Sequence, residues 1–308
     1  MFAVFQYAFI QNAFLAGSLV AIMAGILGYF LVARGLTFAG HALSSIGFAG
    51  AAGAVLLGIS PVYGLLVSTV GAALAISVLG REIRERDVAI GVIMTFALGL
   101  GILFLSLYRG YAEQAYSILF GTIVGISRID VLVTAGLSLG ILAILALVGR
   151  PLLFSSFDPV MAEARGLPVT FLGSLFLILV AVTVSIAMQV IGVLLVFALL
   201  VGPPATAIRL VHRPGSIIIL SIGLGLVYTW LGILLAANSS WPVSFYITTL
   251  AFVVYLPVRL FSSHGKDGRN RLIRKPSSFF TPNFQEAVEE EKETNPAPSF
   301  PINEKHNV

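Results

Sequence analysis

NAFLAGSLVAIMAGILGYFLVARGLTFAGHALSSIGFAGAAGAVLLG, residues 12–58, carries one charged residue, Arg34, between two apolar runs at 12–33 and 36–58. Crossing the hydrocarbon core of a bilayer takes about 20 residues of helix, so each run is long enough to span. Working outward, runs of the same kind follow at 61–80, 88–107, 131–149, 168–187, 190–208, 215–237 and 243–260. Backbone N–H and C=O groups find no water inside lipid and must bond within their own segment, which makes such runs helices. The stretch AYSILFGTIVGIS at 115–127 is apolar but too short to cross, and reads as a half-length helix. The sequence therefore predicts an all-α polytopic integral membrane protein, with eight to nine transmembrane helices plus a short half-length helix.

Composition points the same way. Of 308 residues, 58% are hydrophobic and 10% charged, whereas soluble domains carry about 25% charge. Charge is concentrated late in the chain: the four lysines, Lys266, Lys275, Lys292 and Lys305, all follow residue 265, and the acidic block EAVEEEKE occupies 286–293. Residues 1–261 are read as the transmembrane domain. Residues 262–308, polar and interrupted by prolines, bury too little apolar surface to offset their ordering entropy and are expected to be a disordered cytoplasmic tail.

Several classes of function are excluded. With no cysteine, thiolate metal sites and cysteine nucleophiles drop out. With no lysine before Lys266 and no phosphate-binding loop motif, the chain cannot hydrolyse ATP in the P-loop manner, so an ATP-driven process needs a second chain. The basic residues of the first 261 positions are arginines scattered between apolar runs, which argues against nucleic-acid binding and for the positive-inside bias of membrane proteins. One orientation gathers Arg34, Arg81, Arg84, Arg86, Arg150, Arg165, Arg209, Arg213 and Arg259 on one side, leaving Arg109 and Arg128 on the other. The first group is expected in the cytoplasm, with the amino terminus outside and turns at 59–61, 108–130, 188–189 and 238–242 facing out. No basic segment precedes the first run, so that run is expected to be retained rather than cleaved.

The interiors of the spans hold no Asp, Glu, Lys or Arg, which removes the buried carboxylates that proton-coupled carriers keep and that hydrolases pair. One ionisable side chain enters a span: His41, with Ser45 four residues on and so on the same helix face. An imidazole there is either a candidate ligand for zinc, manganese or iron, or a residue bonded to a neighbouring carbonyl or hydroxyl. Gly47, Gly50 and Gly53 follow at steps of three. Such small residues bring helix backbones together, within a chain or between two copies. Met188 and Gln189 are read as structural.

Two further stretches break the apolar pattern. In GRPLLFSSFDPVMAEARGLPV (149–169), Asp158 and Pro159 begin a short helix and Gly166 with Pro168 ends it. Such a helix at the cytoplasmic face is either a docking element or a connecting loop. In QVIGVLLVFALLVGPPATAIRLVHRP (189–214), Pro203 and Pro204 are expected to interrupt a span near its cytoplasmic end, as a gate or a simple kink.

Four stretches in order, GLTFAGHALSSIGFAGAAGA (35–54), YSILFGTIVGIS (116–127), FDPVMAEARGLP (157–168) and VIGVLLVFALLVGPPATAIRL (190–210), resemble the permease of bacterial ABC importers for divalent metal ions. The resemblance covers roughly residues 12–260. It implies a homodimer in the bacterial cytoplasmic (inner) membrane that imports zinc, manganese or iron and binds no cofactor tightly. ATP would be hydrolysed on a partner ATPase subunit, and an extracytoplasmic metal-binding protein would deliver the ion. It also implies that Asp158, Pro159, Ala162, Glu163 and Gly166 belong to the coupling helix that seats in the ATPase. Where many relatives place an Asp and then a His as the metal-contacting pair, this chain has His41 and Ser45, and a usual proline is Ala49. A secondary carrier of a small neutral solute and a non-transporting membrane assembly protein are the rival readings. The first lacks the buried carboxylates it needs, and the second leaves His41 and the proline pair without a use.

Overall fold

The computed structural model describes residues 8–78, 83–108, 126–239 and 241–264. The chain divides into two units, Met1–Ser262 and Ser263–Val308, and the helical bundle belongs to the first. Ten helices run through the described residues: α1 Ala8–Ala33, α2 Thr37–Leu56, α3 Pro61–Val78, α4 Ile83–Leu107, α5 Arg128–Phe157, α6 Pro159–Ala164, α7 Val169–Ile191, α8 Val193–Leu210, α9 Pro214–Ala237 and α10 Val243–His264. Eight are long and apolar enough to cross a membrane, and α8 is a shorter apolar helix. The expected half-length helix at 115–127, with Gly121 and Gly125, lies outside the described residues except for its last two positions, as does nearly all of the tail.

α1, α2 and α7 form the buried centre, whereas α4, α5 and α10 turn most of their apolar surface outward. α2 packs on α3 and α4, while α1 packs on α9, α8 and α5. Small residues set these distances. A Cβ on Gly50 would overlap the Gly64 carbonyl and a Cβ on Gly64 would overlap that of Gly50, so α2 and α3 cross backbone to backbone. Along α1, Gly17 meets Thr229 and Gly25 meets Ile222, so α9 runs antiparallel to α1.

The ends of the bundle can be told apart. Asn12 Nδ2 near the start of α1 donates to the Ile126 carbonyl at 2.9 Å, whereas Arg34 just past its end bonds the last turn of α5. Arg34, Arg150, Arg165 and Arg213 therefore share one end, and Arg128 lies at the other.

Three expectations need correcting. The polar stretch from 149 is not a loop: α5 continues through Pro151 to Phe157, giving 30 residues, about 45 Å of helix against a core of about 30 Å. Its start is fixed by a capping box, in which Ser127 accepts from the Asp130 N–H and Asp130 accepts from that of Ser127. Pro203 and Pro204 do not interrupt their helix, for α8 runs unbroken through both. The break lies instead at Gly192, and the turn expected at Met188 and Gln189 moves there. Gly192 has φ 82° and ψ 162°, a region open only to glycine. Gly192 is buried among its neighbours.

Candidate functional site

The short helix α6 is built as its sequence requires. Asp158 caps it, its carboxylate accepting from the Met161 N–H at 2.9 Å, and Pro159 occupies the first turn, where no N–H is needed. At the other end Gly166, at φ 77°, lets the chain turn back. Its N–H donates to the Glu163 carbonyl at 2.9 Å, and that of Leu167 to the Ala162 carbonyl at 3.1 Å, which closes the helix in a Schellman motif. Ala162 is fully buried and anchors the inner side, and α6 packs on α5 and α7. Asp158, Pro159, Ala162, Glu163 and Gly166 thus form one motif. Its outer side is apolar: Phe157, Val160 and Met161 are 66%, 77% and 51% exposed.

The same end of the bundle carries arginines laid on aromatic rings. Arg165 lies 5.1 Å from the Phe154 ring centroid and Arg209 lies 5.6 Å from that of Tyr255. Arg34 is the most enclosed. Its Nε donates to Ser156 Oγ at 2.8 Å, and its Nη2 donates to Ser155 Oγ at 2.6 Å and to the Leu152 carbonyl at 3.3 Å. The guanidinium lies 5.4 Å from the Phe176 ring centroid. Burial lowers its pKa from the ordinary arginine value.

His41 stands in the second turn of α2, with its ring centroid 4.8 Å from that of Phe197 on α8. Its Nδ1 is buried without a hydrogen-bond partner. The Ser45 hydroxyl is spent locally, donating to the His41 carbonyl at 3.2 Å. Along the same helix the three glycines meet neighbours of this chain. Gly47 faces Thr69 and Met188 Sδ, Gly50 faces Ser68 and Gly64, and Gly53 faces Phe104. Next to them the Thr69 and Ser185 hydroxyls bond each other at 2.6 Å, joining α3 to α7. Pro203 and Pro204 share α8 with Phe197, so the proline pair and the ring against His41 belong to one helix. Among the described residues no three His, Cys, Asp or Glu side chains converge as a resident metal site.

The profile of the ABC 3 transport family matches residues 6–262. The chain belongs to that family. It is 37% identical over 229 residues to the manganese transport system membrane protein MntC of Halalkalibacterium halodurans, covering 74% of this chain and 78% of that one. It is 31% identical to the manganese import system permease protein ScaB of Streptococcus parasanguinis, covering 82% and 90%. Among solved structures it is similar to PsaBC from Streptococcus pneumoniae in complex with Fab. There the TM-score is 0.73 and the identity 31%, over 82% of this chain and 91% of that one. A putative metal-chelate type ABC transporter in an inward-facing conformation, 18% identical with a TM-score of 0.63, shares the fold over 83% of this chain and 85% of its own.

The family member read from sequence and the one seen in structure differ in three residues that composition did not single out. Phe197 sits in an apolar run and carries no sequence signal. Gly192 was hidden among other glycines, although it directly precedes the apolar helix Val193–Leu210. Arg34 bears on orientation in the sequence, and its isolation between two uncharged runs is the signal that marks it.

Proposed function

We propose that this chain is the membrane-spanning permease of an ATP-driven importer of a divalent metal ion. Two copies would assemble with a separate ATPase subunit and receive the ion from an extracytoplasmic binding protein. The observation that carries this reading is α6: a helix capped at both ends, buried through Ala162, with Phe157, Val160 and Met161 left open where a partner subunit would seat. The arginine-rich end that bears α6 is then cytoplasmic by the positive-inside rule, and the tail lies on that side.

Manganese is the first cargo to test, because the relatives named above transport it, with zinc and iron as the alternatives. His41 and Ser45 lie on the pathway in this reading, and a homodimer supplies two imidazoles in place of a carboxylate pair. Met188 Sδ of α7 and Thr69 of α3 face Gly47 further along α2, and the Thr69 hydroxyl bonds that of Ser185. ATP binding and hydrolysis on the partner shift the equilibrium between outward and inward access, with Pro203 and Pro204 on the moving gate. The chain itself needs no catalytic group.

The experiment is coexpression with the neighbouring ATPase, purification, and uptake of labelled manganese, zinc or iron into proteoliposomes with and without ATP. Accumulation that depends on ATP and on α6 supports the reading. A chain that binds no ATPase, or that accumulates the ion without nucleotide, overturns it.

A further inference from the structure

The docking helix lies in sequence between α5, which ends two residues before Pro159, and α7, which starts at Val169. Arg34 touches both of these helices. On α5 it bonds the hydroxyls of Ser155 and Ser156 and the carbonyl of Leu152. On α7 its guanidinium lies against Phe176.

The hydrogen positions this network requires are consistent. Ser155 and Ser156 both donate to the Leu152 carbonyl, at 3.1 and 2.6 Å. Their lone pairs are left to accept from Arg34, so each hydroxyl is used in both directions. Asp158, the cap of α6, is joined to the same turn by its own N–H, which donates to the Phe154 carbonyl at 3.2 Å. On the other side Arg34 closes α1. Gly35, at φ 66°, turns the chain, and the Leu36 N–H donates to the Leu31 carbonyl at 2.8 Å. α2 begins at Thr37 and carries His41 one turn later.

No carboxylate pairs with Arg34 among the described residues. A guanidinium half-buried without a counter-ion adds little stability, and an apolar side chain of similar volume would suit a merely structural joint about as well. What the fork supplies is direction, since its donors hold one geometry with α5 while its face stays on an aromatic ring of α7.

We infer that Arg34 is the positioning residue that transmits movement of the docking helix to the α1–α2 corner, and through it to the His41 region. This rests on the importer reading above. When the ATPase displaces α6, the last turn of α5 and the start of α7 shift together, and Arg34 is the side chain bonded to the first and stacked on the second. α2 follows because only Gly35 and Leu36 separate it from Arg34.

The test uses the full complex in proteoliposomes, with Arg34→Gln, Arg34→Lys and the Ser155→Ala/Ser156→Ala double variant. The readout is the number of metal ions moved per ATP hydrolysed, together with stimulation of ATP hydrolysis by the loaded binding protein. With Arg34→Gln the complex assembles and hydrolyses ATP, but ions moved per ATP fall about tenfold or more, the scale of losing a set of charged hydrogen bonds. Arg34→Lys restores part of the loss because the charge returns without the fork. The serine double variant falls between wild type and Arg34→Gln, and decides the matter if Arg34→Gln fails to insert.

Variants with lower thermal stability but an unchanged ratio of ions to ATP make Arg34 a structural joint and overturn the inference. A wild-type complex that moves no ion sinks the importer reading and this link with it. A coupled wild type with coupled variants sinks this link alone.

Discussion

The carbonyl oxygen of Leu200 lies against Gly28, in the space a Cβ on that glycine would fill. Two sequence facts meet there. Pro204 stands four residues after Leu200 and has no N–H to offer its carbonyl. Gly28 has no side chain, so the backbone of α1 approaches the freed oxygen closely enough for a Cα–H···O contact. Gly28→Ala should therefore destabilise the protein by about 1–3 kcal/mol, the usual cost of overpacking. Unfolding in detergent checks this, and an unchanged midpoint would show that α1 and α8 have room to separate.

In the proposed importer, docking depends on the shape of α6. Asp158→Ala removes the cap bond to Met161 and should weaken the helix by about 1 kcal/mol, lowering recovery of the ATPase in pull-down. Ala162→Trp should abolish recovery, because the side chain at that position is fully enclosed. Membrane insertion should be normal in both, measured by yield and by elution in size-exclusion chromatography. Full ATPase recovery with Ala162→Trp would move the docking surface elsewhere.

His41→Ala should lower metal uptake by about tenfold or more, which corresponds to about 1.4 kcal/mol of lost binding, with ATPase association unchanged. Ser45→Ala should do much less, since its hydroxyl is bonded to its own helix. Equal losses from the two substitutions, or none from His41→Ala, would remove His41 from the pathway.

The Thr69 to Ser185 bond makes a smaller claim. Hydrogen bonds between helices in a membrane average about 0.6 kcal/mol, so a double-mutant cycle with Thr69→Val and Ser185→Ala should give a coupling of about that size. Both hydroxyls have fallback partners in their own helices, Leu65 and Ala181. A coupling several times larger would mean that the pair is held by more than this bond.

Much of this was readable from residue order. Apolar runs locate the spans because lipid leaves the backbone no other solution, and Asp158, Pro159 and Gly166 announce a capped helix because each solves a particular problem at a helix end. Residues 149–157 misled because Gly149, Arg150 and two serines look like a loop. Arg150 is exposed beyond the apolar part of α5, while the serines are claimed by Arg34, a partner 121 and 122 residues away. Pro203 and Pro204 misled in the opposite sense. A proline costs a helix its bond to the fourth residue back, but here Gly28 occupies the gap beside Leu200. Partners distant in sequence decided both cases, and neither is visible in a local window. His41 stands out because it is the one histidine inside a span, whereas the ring beside it belongs to a residue type common in apolar runs.

Gly192 bears on how the bundle is held together. α8 measures 18 residues, about 27 Å, and the turn that begins it is enclosed by neighbouring helices rather than open to water. α8 packs against α7 and α9 on either side of it in the chain, and against α1 and α2 from the other end of the sequence. The enclosure of that turn is therefore a property of the finished bundle, since the residues around it come from helices at both ends of the sequence.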